Sequence, residues 1–214
     1  MKKITIIAGL FVIATFYTIA QEENEYNTLN AKDEVNTLFK KPHSNGGYGG
    51  ISFGYTNIND KNTFISGAKG GWILDHGLVL GLAGYGFTNN VNYSTGSEER
   101  ILAGGYGGLL IEPIIFPKSP VHVSFPVLIG GGGLTSFVNT GYWDPYNIPA
   151  TVYFIFTVGA ELELNIVNFF RIAIGVDYRF TPDIILNDIT GEQLVPTDVM
   201  RGFSANLVLK FGKF

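Results

Sequence analysis

The chain has 214 residues, 18 acidic against 14 basic for a formal net charge of −4, and no cysteine. An acidic chain without a basic run is unsuited to nucleic acid, and without cysteine it forms neither disulfides nor thiolate metal sites. Twenty-eight glycines beside 17 phenylalanines and 11 tyrosines exceed ordinary globular usage, and beyond the N-terminal segment no apolar stretch reaches the ~18 residues of a membrane helix.

Lys2 and Lys3 precede an apolar run from Ile4 to Ala20, which closes on Thr18-Ile19-Ala20 and is followed by Glu22, Glu23 and Glu25. That order predicts a signal peptide over residues 1–20, removed after Ala20 on export. Residues 21–45 are polar and lie outside any repeat. They are expected to form a periplasmic N-terminal extension, with a short helix within 30–41 carrying Val35, Leu38 and Phe39 on one side.

From Gly46 onward the pattern changes to a period of two, which places alternate side chains on opposite faces of a sheet. Eight strands are predicted, over residues 48–56, 63–74, 78–88, 101–116, 121–131, 152–164, 169–180 and 201–214. Phe203, Ala205, Leu207, Leu209 and Phe211 fall on one face of the last, and Ser204, Asn206 and Lys210 on the other. Strands 121–131, 152–164 and 169–180 alternate in the same way, whereas in 78–88 Val79, Leu80 and Leu82 split across both faces. The connections 75–77, 117–120 and 165–168 are tight. Those at 57–62, 89–100, 134–151 and 181–200 are longer, so short and long alternate. Short turns at one end, long loops at the other and an even strand number are the marks of an outer-membrane barrel, and strands closed into a barrel can cross lipid without orphaning backbone groups. The prediction is an all-β, eight-stranded antiparallel up-and-down transmembrane β-barrel over residues 46–214, located in a bacterial outer membrane.

Eight strands enclose a lumen just wide enough to be filled by side chains. Its polar face carries Lys69, Glu112, His122, Glu161, Glu163, Arg171, Asp177, Arg179 and Lys210. Four fixed cations against four acids predict a network of ion pairs that plugs the interior, with Glu161 and Glu163 placed to pair Arg171 and Arg179 on the next strand. The alternative is a narrow pore for water, ions or small solutes. Glu112, His122 and Ser124 form the best catalytic candidate, with Glu112 roughly opposite Ser124, but a satisfied interior histidine is the better reading. His43, His76 and His122 lack metal-ligand spacing, and the glycine clusters lack the helix and lysine of a phosphate loop. No catalytic, cofactor or metal site is therefore assigned. The glycines are expected to let strands curve and to make room for bulky lumen residues. Trp72 and the aromatics near strand ends suit an interfacial girdle. Tyr142, Trp143 and Tyr146 in the third long loop are candidate contacts for an extracellular ligand. The acids Asp183, Asp188, Glu192 and Asp198 in the fourth could hold a divalent ion bridging lipopolysaccharide.

Gly46-Gly47-Tyr48-Gly49-Gly50, Gly70-Gly71-Trp72-Ile73, His76, Gly84-Tyr85-Gly86, Phe169-Phe170-Arg171-Ile172, Tyr178-Arg179 and the ending Lys210-Phe211-Gly212-Lys213-Phe214 resemble a family of small outer-membrane β-barrel proteins typical of Bacteroidetes. More broadly the chain is similar to OmpA/OmpX-type eight-stranded barrels. The resemblance implies outer-membrane lipid and lipopolysaccharide as surroundings and carries over no functional residue. A terminal phenylalanine resembles the signal read by the barrel-assembly machinery. Phe214 shares the parity of Lys210 and Gly212, so the last two residues are expected to leave the strand or to form a bulge. The function expected is structural or surface-interactive, exercised through the long external loops without enzymatic activity.

Overall fold

A computed structural model describes residues 45–92, 99–138, 148–188 and 191–214; the predicted signal peptide, the extension and Tyr142, Trp143 and Tyr146 lie outside them. The alternating segments form β1 (Asn45–Ile58), β2 (Lys61–Leu74), β3 (Leu78–Asn92), β4 (Glu99–Ile115), β5 (Val121–Ser124), β6 (Val127–Val138), β7 (Ala150–Val167), β8 (Phe170–Phe180) and β9 (Gly202–Lys213). All pairings are antiparallel, and β9 returns to β1 from Gly47↔Lys213 to Thr56↔Ser204, which closes the sheet. β5 and β6 are halves of one barrel strand, because both lie between β4 and β7. The fold is thus an eight-stranded up-and-down β-barrel. Pro126 interrupts the fifth strand because it has no N–H for the ladder. The register is unchanged across the gap, since Phe125 donates to the Pro113 carbonyl and Gly159 to the Pro126 carbonyl, both at 2.9 Å.

Three of the long connections differ from the sequence reading, the second, predicted over 89–100, because β3 runs on to Asn92 and β4 begins at Glu99. The first is a two-residue turn at Asn59-Asp60, not the predicted 57–62, because both residues take positive φ (54° and 58°). Asn and Asp tolerate that conformation and suit a tight hairpin, so pairing runs on to Ile58↔Lys61. Strict alternation of loop lengths therefore fails at its first member. The third connection begins later than residue 134, because β6 continues to Val138 and β7 starts at Ala150. The Gly130–Gly133 run, which has no side-chain pattern to read, pairs with Gly105, Gly107 and Gly108 on β4 and carries the wall onward.

The outer wall is apolar around the ring. Ile51, Phe64, Leu82, Leu109, Phe154, Ile174 and Phe203 are exposed, and Val152 is exposed to 87%. The strands span 11 to 18 residues where unbroken, enough for a tilted crossing that needs about 9–11. In the third strand Val79 is buried while Leu80 and Leu82 face outward. Glycines on the inner face make room for aromatic rings. A Cβ on Gly67 would sit 2.5 Å from the Tyr85 ring, and one on Gly132 would sit 2.5 Å from that of Tyr153. β9 shows no bulge. Lys213 stays in the ladder opposite Gly47, and Phe214 keeps the inward parity, its ring 6.2 Å from that of Tyr48.

Candidate functional site

Inward parity and register bring the ionisable side chains to one level of the lumen, nearer the end with the short turns. β2 supplies Lys69, β4 Glu112, β7 Glu161 and Glu163, β8 Arg171 and β9 Lys210, each on an inward position. Lys210 is the hub. Its Nζ lies 2.5 Å from Glu112 Oε1, 2.7 Å from Glu163 Oε1 and 3.0 Å from Glu161 Oε2. Lys69 Nζ reaches Glu161 Oε1 at 2.6 Å and Glu112 Oε2 at 3.3 Å. Tyr48 on β1 donates its hydroxyl to Glu112 Oε2 at 2.7 Å. Arg171 Nη1 lies 3.5 Å from Glu163 Oε2. Three carboxylates thus meet two ammonium groups and one guanidinium, and the layer is neutral. Buried charges survive only when paired and hydrogen-bonded.

His122, on β5, closes this layer. Its Nδ1 lies 3.2 Å from the Ser119 carbonyl, and Nε2 lies 3.1 Å from Glu163 Oε2 and 3.2 Å from Arg171 Nη1. Glu112 does not stand opposite Ser124 as expected, because Ile114 is the residue paired with Ser124. The Ser124 hydroxyl is buried without a partner, so the three side chains form no relay. Glu112, Glu161 and Glu163 are the one group of acids, among the described residues, close enough to share a metal ion. The Lys210 ammonium touches all three and fills the position an ion would take.

Arg179 and Asp177 occupy a separate level, and here the sequence reading needs correction. Register places Arg179 opposite Thr157, away from Glu161 and Glu163, so no glutamate pairs with it across the strands. Its Nε donates to the Met200 carbonyl at 3.0 Å, Nη2 to Thr56 Oγ1 at 2.7 Å and Nη1 to Ser204 Oγ. Asp177 accepts from Asn206 Nδ2. Between the two levels lies a cavity of about 20 Å³ lined by Asp177, Asn206, Glu161, Tyr85 and Tyr106 among others, room for about one water.

Above Arg179 the fourth long loop folds into the barrel mouth, a feature that sequence reasoning missed. Ile184, Leu186, Leu194, Val195, Val199 and Met200 are buried in one cluster with the inward wall residues Ile58, Ile65, Phe87, Leu102, Leu134 and Ile155. Main-chain bonds shape the loop into an irregular hairpin, Ile184 N to Thr197 O and Leu194 N to Leu186 O at 2.8 Å each. Its acids stay outside the cluster: Asp183 pairs with Arg201 at 2.6 Å, and Asp188 Oδ1 accepts from the Glu192 amide at 2.9 Å. No three acids of the loop gather around a shared ion among the described residues. The signal was available in Ile184, Leu186, Leu194 and Val195, apolar residues that a solvated loop does not need. At the opposite end Tyr48, Ile73, Val79 and Ile114 form a second apolar layer, with Phe214 against it.

No protein-family model and no curated protein matches the chain. Solved structures do match its fold. The crystal structure of Neisserial surface protein A superposes with a TM-score of 0.51 at 12% identity, covering 79% of this chain and 97% of that one. A major outer membrane protein from Thermus thermophilus superposes with a TM-score of 0.52 at 9% identity, covering 79% and 100%. At such identities the likeness is one of fold.

Proposed function

We propose that the protein is an integral barrel of a bacterial outer membrane, without catalytic activity, whose lumen is closed and whose loop-end surface faces outward. The observation that carries this reading is the inversion of wall and interior. Large apolar side chains cover the outer surface while Lys69, Glu112, Glu161, Glu163, Arg171, Arg179 and Lys210 are buried within. A water-soluble barrel arranges these the other way, and monomeric soluble proteins rarely expose apolar patches beyond a few hundred Å². Lipid is the surrounding that suits the wall. The neutral ion layer and the folded loop support a closed lumen, which leaves the outward loops as the place for contact with lipopolysaccharide or an extracellular ligand. The leader-like residues 1–20 support export. The glycine-rich motifs support kinship with the small Bacteroidetes barrels.

The chain has no cysteine, so a single introduced thiol reports one position. In intact cells Glu192→Cys, in the fourth loop, is expected to react with a membrane-impermeant maleimide. Asn168→Cys, in a turn at the opposite end, is expected to react only after the outer membrane is permeabilised. Labelling of Asn168→Cys in intact cells, or recovery of the protein in the soluble fraction, contradicts the proposal.

A further inference from the structure

The turn end holds a cavity of about 400 Å³ that the ion layer does not use. Arg171 and Phe214 line it from the lumen mouth, Lys118 and His76 from two turns, Asn168 from the β7–β8 turn and Ile166 from the end of β7; no lining side chain is acidic. Arg171 is 4% exposed, yet its hydrogen bonds, to His122 and Glu163, both leave from Nη1. Its Nε is buried without any partner. The Phe214 ring lies 3.9 Å from its Cζ and braces the guanidinium plane. A buried donor left without an acceptor is costly, and a guanidinium edge fits the oxygens of a phosphate or carboxylate. Ile166 belongs to the outer wall, where it is 52% exposed, so the cavity runs from the lumen mouth across the rim to the apolar surface. Cations at one end and apolar side chains at the other suit an amphiphile, and the volume lies within the usual range of ligand pockets.

We infer that this rim cavity binds the phosphate group of an anionic lipid from the leaflet bordering the turn end, through the Arg171 guanidinium that lines it, with Lys118 beside it. A free phosphate would satisfy the same donors, so both sources are tested. The lipid source rests on the membrane reading above, whereas the phosphate measurement in micelles does not, so the two fail separately.

The full chain, refolded in phosphate-free maltoside micelles, is titrated with phosphatidic acid and, separately, with inorganic phosphate. Native mass spectrometry counts retained lipid, and the Arg171 Nε–H resonance reports the edge. The expected result is one phosphatidic acid retained per barrel, a shifted Arg171 resonance, and at least tenfold weaker retention in Lys118→Gln and Arg171→Lys. Displacement of the lipid by millimolar inorganic phosphate, with the same resonance moving, upholds the site and identifies a free oxyanion as its ligand. Lys118 sits on an exposed turn outside the ion layer, so Lys118→Gln keeps the test valid should Arg171→Lys fail to fold. Wild-type retention in Lys118→Gln, or an Arg171 resonance that neither probe moves, overturns the inference.

Discussion

Replacing Lys210 with methionine is expected to lower the unfolding free energy of the barrel by about 3–5 kcal/mol, the usual result of stripping one partner from a buried ion pair. The reason is the hub geometry. Among the described residues Lys210 Nζ is the one group in contact with Glu112, Glu161 and Glu163 together. Without it the only fixed cations the three carboxylates retain are Lys69, which reaches Glu112 and Glu161, and Arg171, which stands 3.5 Å from Glu163. The layer then carries one excess negative charge in a volume with room for about one water nearby. Adding Glu112→Gln to Lys210→Met restores neutrality, so the double variant is expected to lose less than the sum of the two single losses. Ile174→Ala, on the outer wall, is expected to cost about 1 kcal/mol. Urea titration of the barrel in vesicles, followed by tryptophan fluorescence, measures all four. A Lys210→Met variant no less stable than Ile174→Ala would show that the ion layer does not hold the barrel together.

Leu186→Asp is expected to release the fourth loop from the barrel mouth while leaving the wall intact. Leu186 is fully buried among Ile184, Leu194, Val195 and Met200, and burying a leucine side chain is worth about 1.5–3 kcal/mol. An aspartate there must either stay charged among apolar neighbours or leave, and leaving is cheaper. The loop's opening free energy should therefore fall by about 3 kcal/mol, which is roughly a hundredfold in amide exchange. The reporters are the Ile184 and Leu194 amides, bonded to Thr197 O and Leu186 O. Amides of β7 and β8 serve as the reference and should not change. Unaltered exchange at Ile184 and Leu194 would mean that the loop is held by something other than its apolar face.

How much of this was legible depended on whether a contact follows from alternation alone. The faces of β7, β8 and β9 did, because long runs such as Phe170 to Phe180 keep one parity, and parity alone sends Glu161, Glu163, Arg171 and Lys210 inward. The partners within the layer did not. Lys210 meets Glu112 and Glu163 across the tube, from strands that are not its neighbours in the ring, so only the closed geometry brings them together. Arg179 was misassigned because a tight turn between β7 and β8 fixes the register, and that register sets it opposite Thr157 rather than a glutamate. Two further features were hidden by composition. Gly130–Gly133 has no side chains to alternate, so the readable pattern stops before the wall does. In residues 181–200 the acids mask Ile184, Leu186 and Leu194, whose burial decides where that loop goes. Asn59-Asp60 looked like part of a longer polar loop because a turn with both residues at positive φ is short enough to vanish inside a run of Asn and Asp.

The closed lumen is tested most directly by single-channel conductance across a planar bilayer into which the refolded barrel has been inserted, with Glu161→Gln measured alongside. Silence interrupted at most by rare, small events is the predicted result for the unaltered protein. A steady, ion-selective conductance that Glu161→Gln changes would contradict the account, because current would then be passing through the layer that Lys210 and its three glutamates are said to seal.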